Sequence, residues 1–299
     1  MSAARGLTTP AASSPTTPAP ALHHPVWTRP TEEVASTPLL TRERVEALES
    51  ELDRGQAVPA LRRFNDNLAK LDPSTWRATL RPVFNELAHD LETFNPAFTA
   101  TVLKVQMTIG ESDYERRDAA LQNLIQPLAG EYGLTIGQPL LKTHRRLFSD
   151  WYRSVMGEEL STLLAEGVAP QHSLRLFDRM MTDITTGGGH EGSMAQAAYA
   201  MGYNLAIEYL ADYEKTWALD AMRSLDDRVL KVQGIGPVDY LFLEVHAEHE
   251  CEHAAIGHAA VLAVVEARHE EIVREAMIKH DADLATFYNA LADMLEEKK

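Results

Sequence analysis

From Thr41 to about residue 297 the chain carries its apolar residues at helical spacing, and almost nowhere at the two-residue spacing of a strand. A chain patterned this way must bury its apolar stripes helix against helix, so an all-α bundle follows. Thr41 is placed to cap a first helix, and Pro73-Ser-Thr starts another with Trp76, Leu80, Phe84, Leu87 and Leu91 on one stripe. Pro96 opens the next and Gly110 closes it, with a further helix over about 111–131. Gly133, Gly137 and Pro139 mark a loop before a helix over about 140–156. Helices are then expected over approximately 170–185, 192–212, 213–230, 237–267 and 270–297, with Gly187-Gly188-Gly189 as a break. The one strand-like run, VLKVQMTI at 102–109, sits better inside a helix. No fixed-period repeat is present, so a solenoid is excluded.

Residues 1–38 differ in kind. They are rich in Ala, Pro, Ser and Thr, lack the apolar core of a secretory signal, and read as a disordered tail; His23 and His24 there are an incidental pair. Residues 39–299 then form a single helical domain. The formal charge of −16 argues against nucleic acid and anionic membranes as partners. A single cysteine fits a reducing cytoplasm, and no apolar run is long enough to span a membrane.

The chemistry concentrates in EVHAEHECEH, residues 244–253. At about 100° per residue, His246, Glu250 and His253 share one face, while Glu244, Glu248 and Glu252 fall opposite. The outer carboxylates read as a solvated face. The inner three are followed by AAIGHAAVLAVV, an almost wholly apolar run that implies burial, so ligation competes with a polar helix flank. His249 lies at the edge between the two faces, and Cys251 points elsewhere.

A second candidate is Glu208. Ala197 to Ile207 carries no charge, and a lone carboxylate on a core helix must be paired or bound to a metal; the alternative is that Glu208 begins an exposed helix end. Ala198, Ala200 and Gly202 would let neighbouring helices approach closely. The third stretch holds Glu131 before the glycine-broken loop and His144 after it, ahead of Leu147, Phe148 and Trp151. Arg145 and Arg146 beside His144 leave an exposed basic turn open.

These three stretches, in this order, resemble the haem-oxygenase-like diiron oxidases and oxygenases, which include CADD-like iron-containing redox enzymes. The resemblance spans roughly residues 110–265 and rests on Glu131-Tyr-Gly through His144-Arg-Arg-Leu-Phe, on MGYNLAIEYL with Glu208, and on His246-x3-Glu250-x2-His253. It departs in a longer interval between Glu131 and His144, and in Glu250 where Asp is commoner. The resemblance implies a haem-oxygenase-like helical bundle and a metal ligand set of Glu131, His144, Glu208, His246, Glu250 and His253. It further implies two Fe ions with O2 as co-substrate, and an oxidoreductase attacking a C–H or N–H bond of a small substrate. Amino acids in specialised metabolism come first, by desaturation, cyclisation, fragmentation or N-oxygenation, with azetidine-forming enzymes of nucleoside-antibiotic pathways as a narrower option. An external electron donor is implied as a partner, and a homodimer is left open. Tyr203, Asn204 and Asp239 are candidate supports for the ligands, with helix packing and helix-end charge as equal accounts.

Two E-x-x-H pairs, Glu86/His89 and Glu250/His253, make a ferritin-like diiron or iron-binding protein the nearest competitor. It leaves His246 without a role, and Glu86 and His89 read more simply as a solvated flank beside Asp90 and Glu92. A haem oxygenase would need no carboxylate cluster, a thiaminase of the TenA kind would need Cys251 in a pocket, and a non-catalytic helical metal-binding or interaction protein remains as a different class. His190 and Glu191 read as a polar helix start rather than a gate.

Overall fold

The computed structural model describes residues 37–110, 113–134, 139 and 141–296, with side chains described except at 212, 214–217 and 248–254. Among them the chain is helical throughout: α1 (Arg42–Leu52), α2 (Ala57–Ala69), α3 (Trp76–Asp90), α4 (Phe94–Thr108), α5 (Tyr114–Glu131), α6 (His144–Met156), α7 (Leu160–Ala165), α8 (Gln171–Thr186), α9 (Ser193–Leu225), α10 (Leu241–Val264) and α11 (Glu270–Glu296). The only extended pairing among the described residues is an isolated bridge between Leu39 and Glu266. Beside it, Leu40 N donates to Val265 O and Ala267 N to Pro38 O. The expected tail thus falls outside the described residues except for its last two, and Pro38 is already bonded to the bundle.

The hub is α9. On it pack α2, α4, α10 and α11, and α10 is covered on another side by α5. Sequence reasoning expects two helices over 192–230, but one α-helix runs to Leu225 and continues as a short π segment, Asp226–Leu230. Nothing near 212 and 213 breaks it: residues 203–230 contain neither Gly nor Pro, and the charges at Asp212 and Glu214 do not end a helix. The sequence pattern also misses α2 and the short α7. The triple glycine forms the expected break, a 3-10 turn at Gly187–Gly189.

The small residues of α9 set its distance to α11. A Cβ added at Gly202 would stand 2.7 Å from Val273 O and 2.8 Å from Val273 Cα. Backbone cannot rotate aside as a side chain can, so the helices must separate. Gly202→Ala is therefore expected to cost about 1–3 kcal/mol, despite the better helix propensity of Ala; urea denaturation at equilibrium measures it, and an unchanged or raised stability contradicts the close approach.

The N-terminal helices belong to the same core as the rest. Leu48, Phe64 and Phe84 join Val261, Leu284 and Leu291 in one apolar cluster. Polar ties reinforce this: Asp281 of α11 accepts from the backbone N–H of Gln56 and Ala57 at 2.8 and 2.9 Å, capping α2. Glu49 of α1 meets His258 Nδ1 of α10 at 2.9 Å in a buried pair, where burial raises the carboxyl's pKa against the lowering effect of His258.

Candidate functional site

A cavity of about 130 Å³ lies among α3, α4, α5, α6, α9, α10 and α11. Its wall is mostly apolar, and Glu131, Glu208, His246, Asp90 and His280 are its acidic and histidine members. Each reaches it for a local reason.

Glu131 is the last residue of α5, and His144 the first of α6. Between them Gly133 takes a left-handed conformation (φ 70°), and its carbonyl accepts from Leu141 N at 3.1 Å. A Cβ there would fall 2.6 Å from Leu141 O, so only glycine allows the chain to close so tightly. Thr143 then caps α6, its Oγ accepting from Arg146 N at 3.1 Å. The longer interval between Glu131 and His144 is thereby folded back, and His144 Nδ1 stands 2.7 Å from Glu131 Oε1. His144 is buried rather than part of an exposed basic turn. The neighbouring arginines turn away: Arg145 donates to Ala88 O and pairs with Glu92, and Arg146 pairs with Asp150.

Glu208 is only 2% exposed, so it does not begin an exposed helix end. It faces α10, where a Cβ on Gly257 would just touch its Cβ and Cγ at 3.4 Å. His246 lies one helical turn after Phe242, and its Nδ1 is 2.6 Å from Phe242 O. A carbonyl can only accept, so Nδ1 carries the proton and Nε2 is left as the ring's lone-pair nitrogen, the form that ligates metals. Phe242 in turn stacks on Trp151 at 5.5 Å, and the His144 and His246 rings lie 4.8 Å apart.

Three of the expected ligands, Glu131, Glu208 and His246, thus line one cavity, and the fourth, His144, stands against Glu131 and His246. Glu250 and His253 lie on α10, but their side chains, like those of His249 and Cys251, fall outside the described residues. Among the described residues no group of three or more His, Cys, Asp or Glu is spaced to hold a metal ion. The donor chemistry nonetheless suits one. Nδ1 of His144 and Oε1 of Glu131 are 2.7 Å apart without hydrogen-bond alignment, and that nitrogen is buried. A ring nitrogen and a carboxylate oxygen at this distance need a positive charge shared between them, a proton or a metal ion. Mixed imidazole and carboxylate donors are what iron takes.

The other expectations fare differently. Glu86 is buried, not a solvated flank. Its carboxylate accepts from the backbone N–H of Ser173 at 2.8 Å and of His172 at 3.2 Å, and from Ser173 Oγ at 3.1 Å. It therefore caps α8, and neither it nor His89 lines the cavity, which corrects the ferritin-like pairing of Glu86/His89 with Glu250/His253. Glu86→Ala is expected to destabilise the chain by about 1–2 kcal/mol while leaving iron binding unchanged; loss of iron in a folded variant would restore the ferritin-like alternative. Asp239 accepts from Leu241 N at 3.1 Å, capping α10 rather than supporting a ligand. Tyr203 is buried and donates to Asp283 at 3.3 Å; Asn204 is buried beside it. His190 meets Glu275 of α11 at 3.2 Å and does not line the cavity, and Glu191 is exposed.

Asp90 and His280 escaped the motif search. Both interrupt apolar stripes, Val83–Leu87–Asp90 on α3 and Val273–Met277–His280–Leu284 on α11, and a polar residue on such a stripe is the available signal. Asp90 is 5% exposed, and burial, with the nearby Glu86 charge second, pushes its pKa up to about 8. His280 is 1% exposed and burial pushes it down to about 3, so it is neutral.

No known family's sequence pattern matches the chain, and no curated protein does. Solved structures do. A CADD-like protein of unknown function from Nostoc punctiforme PCC 73102 superposes with a TM-score of 0.63 at 15% identity, over 84% of this chain and 96% of that one. A second crystal structure of that protein gives 0.62 at 14% identity, over 86% and 97%. A TenA homolog from Pseudomonas syringae pv. tomato str. DC3000 gives 0.55 at 16% identity, over 89% and 98%. The chain therefore has the all-α, haem-oxygenase-like fold read from its sequence, and the shared fold extends well beyond the 110–265 interval into the N-terminal helices. No helix among the described residues is long and apolar enough to cross a membrane.

Proposed function

We propose that this chain is a non-haem diiron oxidoreductase that uses O2 to oxidise a C–H or N–H bond of a small substrate, an amino acid first. The observation that carries the reading is that Glu131, Glu208 and His246 line one mostly apolar cavity, with His144 packed against Glu131 and His246. Together with Glu250 and His253 these residues would hold two irons, whose chemistry when bound is the reduction of O2. Three carboxylates largely balance the charge of two iron(II) ions, and the imidazoles complete a donor set that suits iron.

The protein's own share of the work is positioning and exclusion. Phe242 fixes the His246 tautomer through its carbonyl, and its ring is held on Trp151. Phe94, Phe98, Phe148, Trp151, Phe242 and Leu284 line a water-poor chamber for an apolar substrate body. The full reduction of O2 to water takes four electrons. A two-electron oxidation of the substrate supplies two, and an external donor supplies the others. Desaturation, cyclisation, fragmentation and N-oxygenation all fit this balance, and azetidine closure is the narrower cyclisation.

The test is to load the chain with iron(II) without oxygen, screen an amino-acid panel, and follow O2 uptake. An amino acid that raises uptake at least tenfold and is itself oxidised is the expected result. Iron-loaded protein that consumes no O2 with any member would overturn the amino-acid oxidase reading.

A further inference from the structure

We infer that Asp90 and His280 form a recognition site for a basic nitrogen in the wall of the same cavity, so that the substrate is an apolar molecule bearing an amine. The inference rests on the proposed oxidase reading for the identity of the bound molecule as substrate, and on the cavity for everything else.

Asp90 comes from the last turn of α3 and His280 from the middle of α11, helices far apart in sequence whose residues line one cavity. Both line the cavity and both are more than nine-tenths buried. Asp90 Oδ1 and His280 Nδ1 each have no hydrogen-bond partner among the described residues. Two buried polar atoms left open in a mostly apolar wall cost free energy unless something polar enters to meet them. Neither is consumed elsewhere: Glu86 beside Asp90 is engaged at the α8 cap, while Tyr203, which stacks edge-on to His280 at 4.9 Å, donates to Asp283.

The sign of the missing partner follows from the wall. Its described members include no Lys or Arg, and His280 is neutral, so a free carboxylate or phosphate would find no cation at this end. An amine meets Asp90 as an ion pair, its nitrogen taking the carboxyl proton or arriving already charged. His280 Nδ1 can accept a second N–H from the same ammonium. Leu87, Leu91, Phe94, Phe98, Leu284 and Tyr288 line the same cavity with apolar surface, which suits a hydrocarbon chain behind the nitrogen.

Three probes of one size separate the options: hexylamine, hexanol and hexanoate, titrated calorimetrically into the full chain before and after anaerobic iron loading. Hexylamine is expected to bind about 30-fold or more tighter than hexanol, and hexanoate more weakly still. Asp90→Asn keeps shape and removes the charge, and should erase the amine preference while iron content stays at the wild-type level. Equal binding of hexylamine and hexanol by the wild-type chain overturns the inference, as does an unchanged preference in a folded Asp90→Asn chain. Preference for the amine in a chain that takes up no iron supports the inference and sinks the diiron reading instead, so the two failures are distinct.

Discussion

Iron(II) titrated without oxygen into the His246→Ala chain is expected to bind at least about 100-fold more weakly than to the wild type, with the far-ultraviolet circular dichroism unchanged. Loss of a partner one shell away from a metal already weakens binding by roughly 10–100-fold, and loss of the ligand itself exceeds that. His246 is a sharp choice because its orientation is fixed twice, by the 2.6 Å contact of Nδ1 with Phe242 O and by the Phe242 ring at 4.4 Å. Alanine leaves Phe242 on Trp151 and α10 intact, so the helix persists while the lone-pair nitrogen goes. Wild-type iron affinity in this variant would remove His246 from the ligand set and leave the contact with His144 as simple ring packing.

The second large effect concerns what holds the cavity wall. Phe84 of α3 is fully buried and meets three aromatic rings of α6 edge-on: Phe148 at 6.0 Å, Trp151 at 5.0 Å and Tyr152 at 5.1 Å. Phe148 and Trp151 line the cavity, so Phe84 backs the wall without touching its contents. Phe84→Ala is expected to cost about 3–5 kcal/mol, from lost burial, the void left behind and the three ring contacts. Guanidinium denaturation at equilibrium reads this directly. A cost under about 1 kcal/mol would mean that the α3–α6 contact closes over the gap and that α3 is not fixed by these rings.

The helical architecture was legible because the apolar spacing is strong and the breaks are chemical. Thr41 holds the N-cap position of α1 without a side-chain bond, Pro96 lies in the first turn of α4, Gly110 follows its end, and the triple glycine breaks the chain after α8. The misreadings have equally local causes. Residues 193–225 form one helix because polarity alone does not end a helix, and α2 went unnoticed although Val58, Leu61, Phe64 and Leu68 share its buried stripe.

At the site, the register of one helix says which residues share a face, and packing between helices lies beyond it. Glu208 was suspected because a lone carboxylate ends an uncharged run, and it is buried. His144 could not be separated from its arginine neighbours by composition, since their pairing with Ala88, Glu92 and Asp150 is tertiary. Glu86 and Asp90 looked like parts of one solvated acidic flank. Both are buried, Glu86 at a helix N-terminus supplied by α8 and Asp90 in the cavity wall, and no local pattern announces either. Motifs reveal residues that serve one helix's face; a cap given to a distant helix, or a cavity shared by seven, exists only once they are assembled.

The central claim is that this bundle holds a pair of irons between α5, α6, α9 and α10. Its most direct test is the iron stoichiometry of the full chain after anaerobic loading and desalting, read by elemental analysis with Mössbauer spectroscopy on the same sample. The account predicts about two irons per chain in a carboxylate-rich environment, falling below one when His246 or Glu208 is replaced by alanine. A folded wild-type chain that retains no iron, or variants at both positions that retain the full amount, would contradict it.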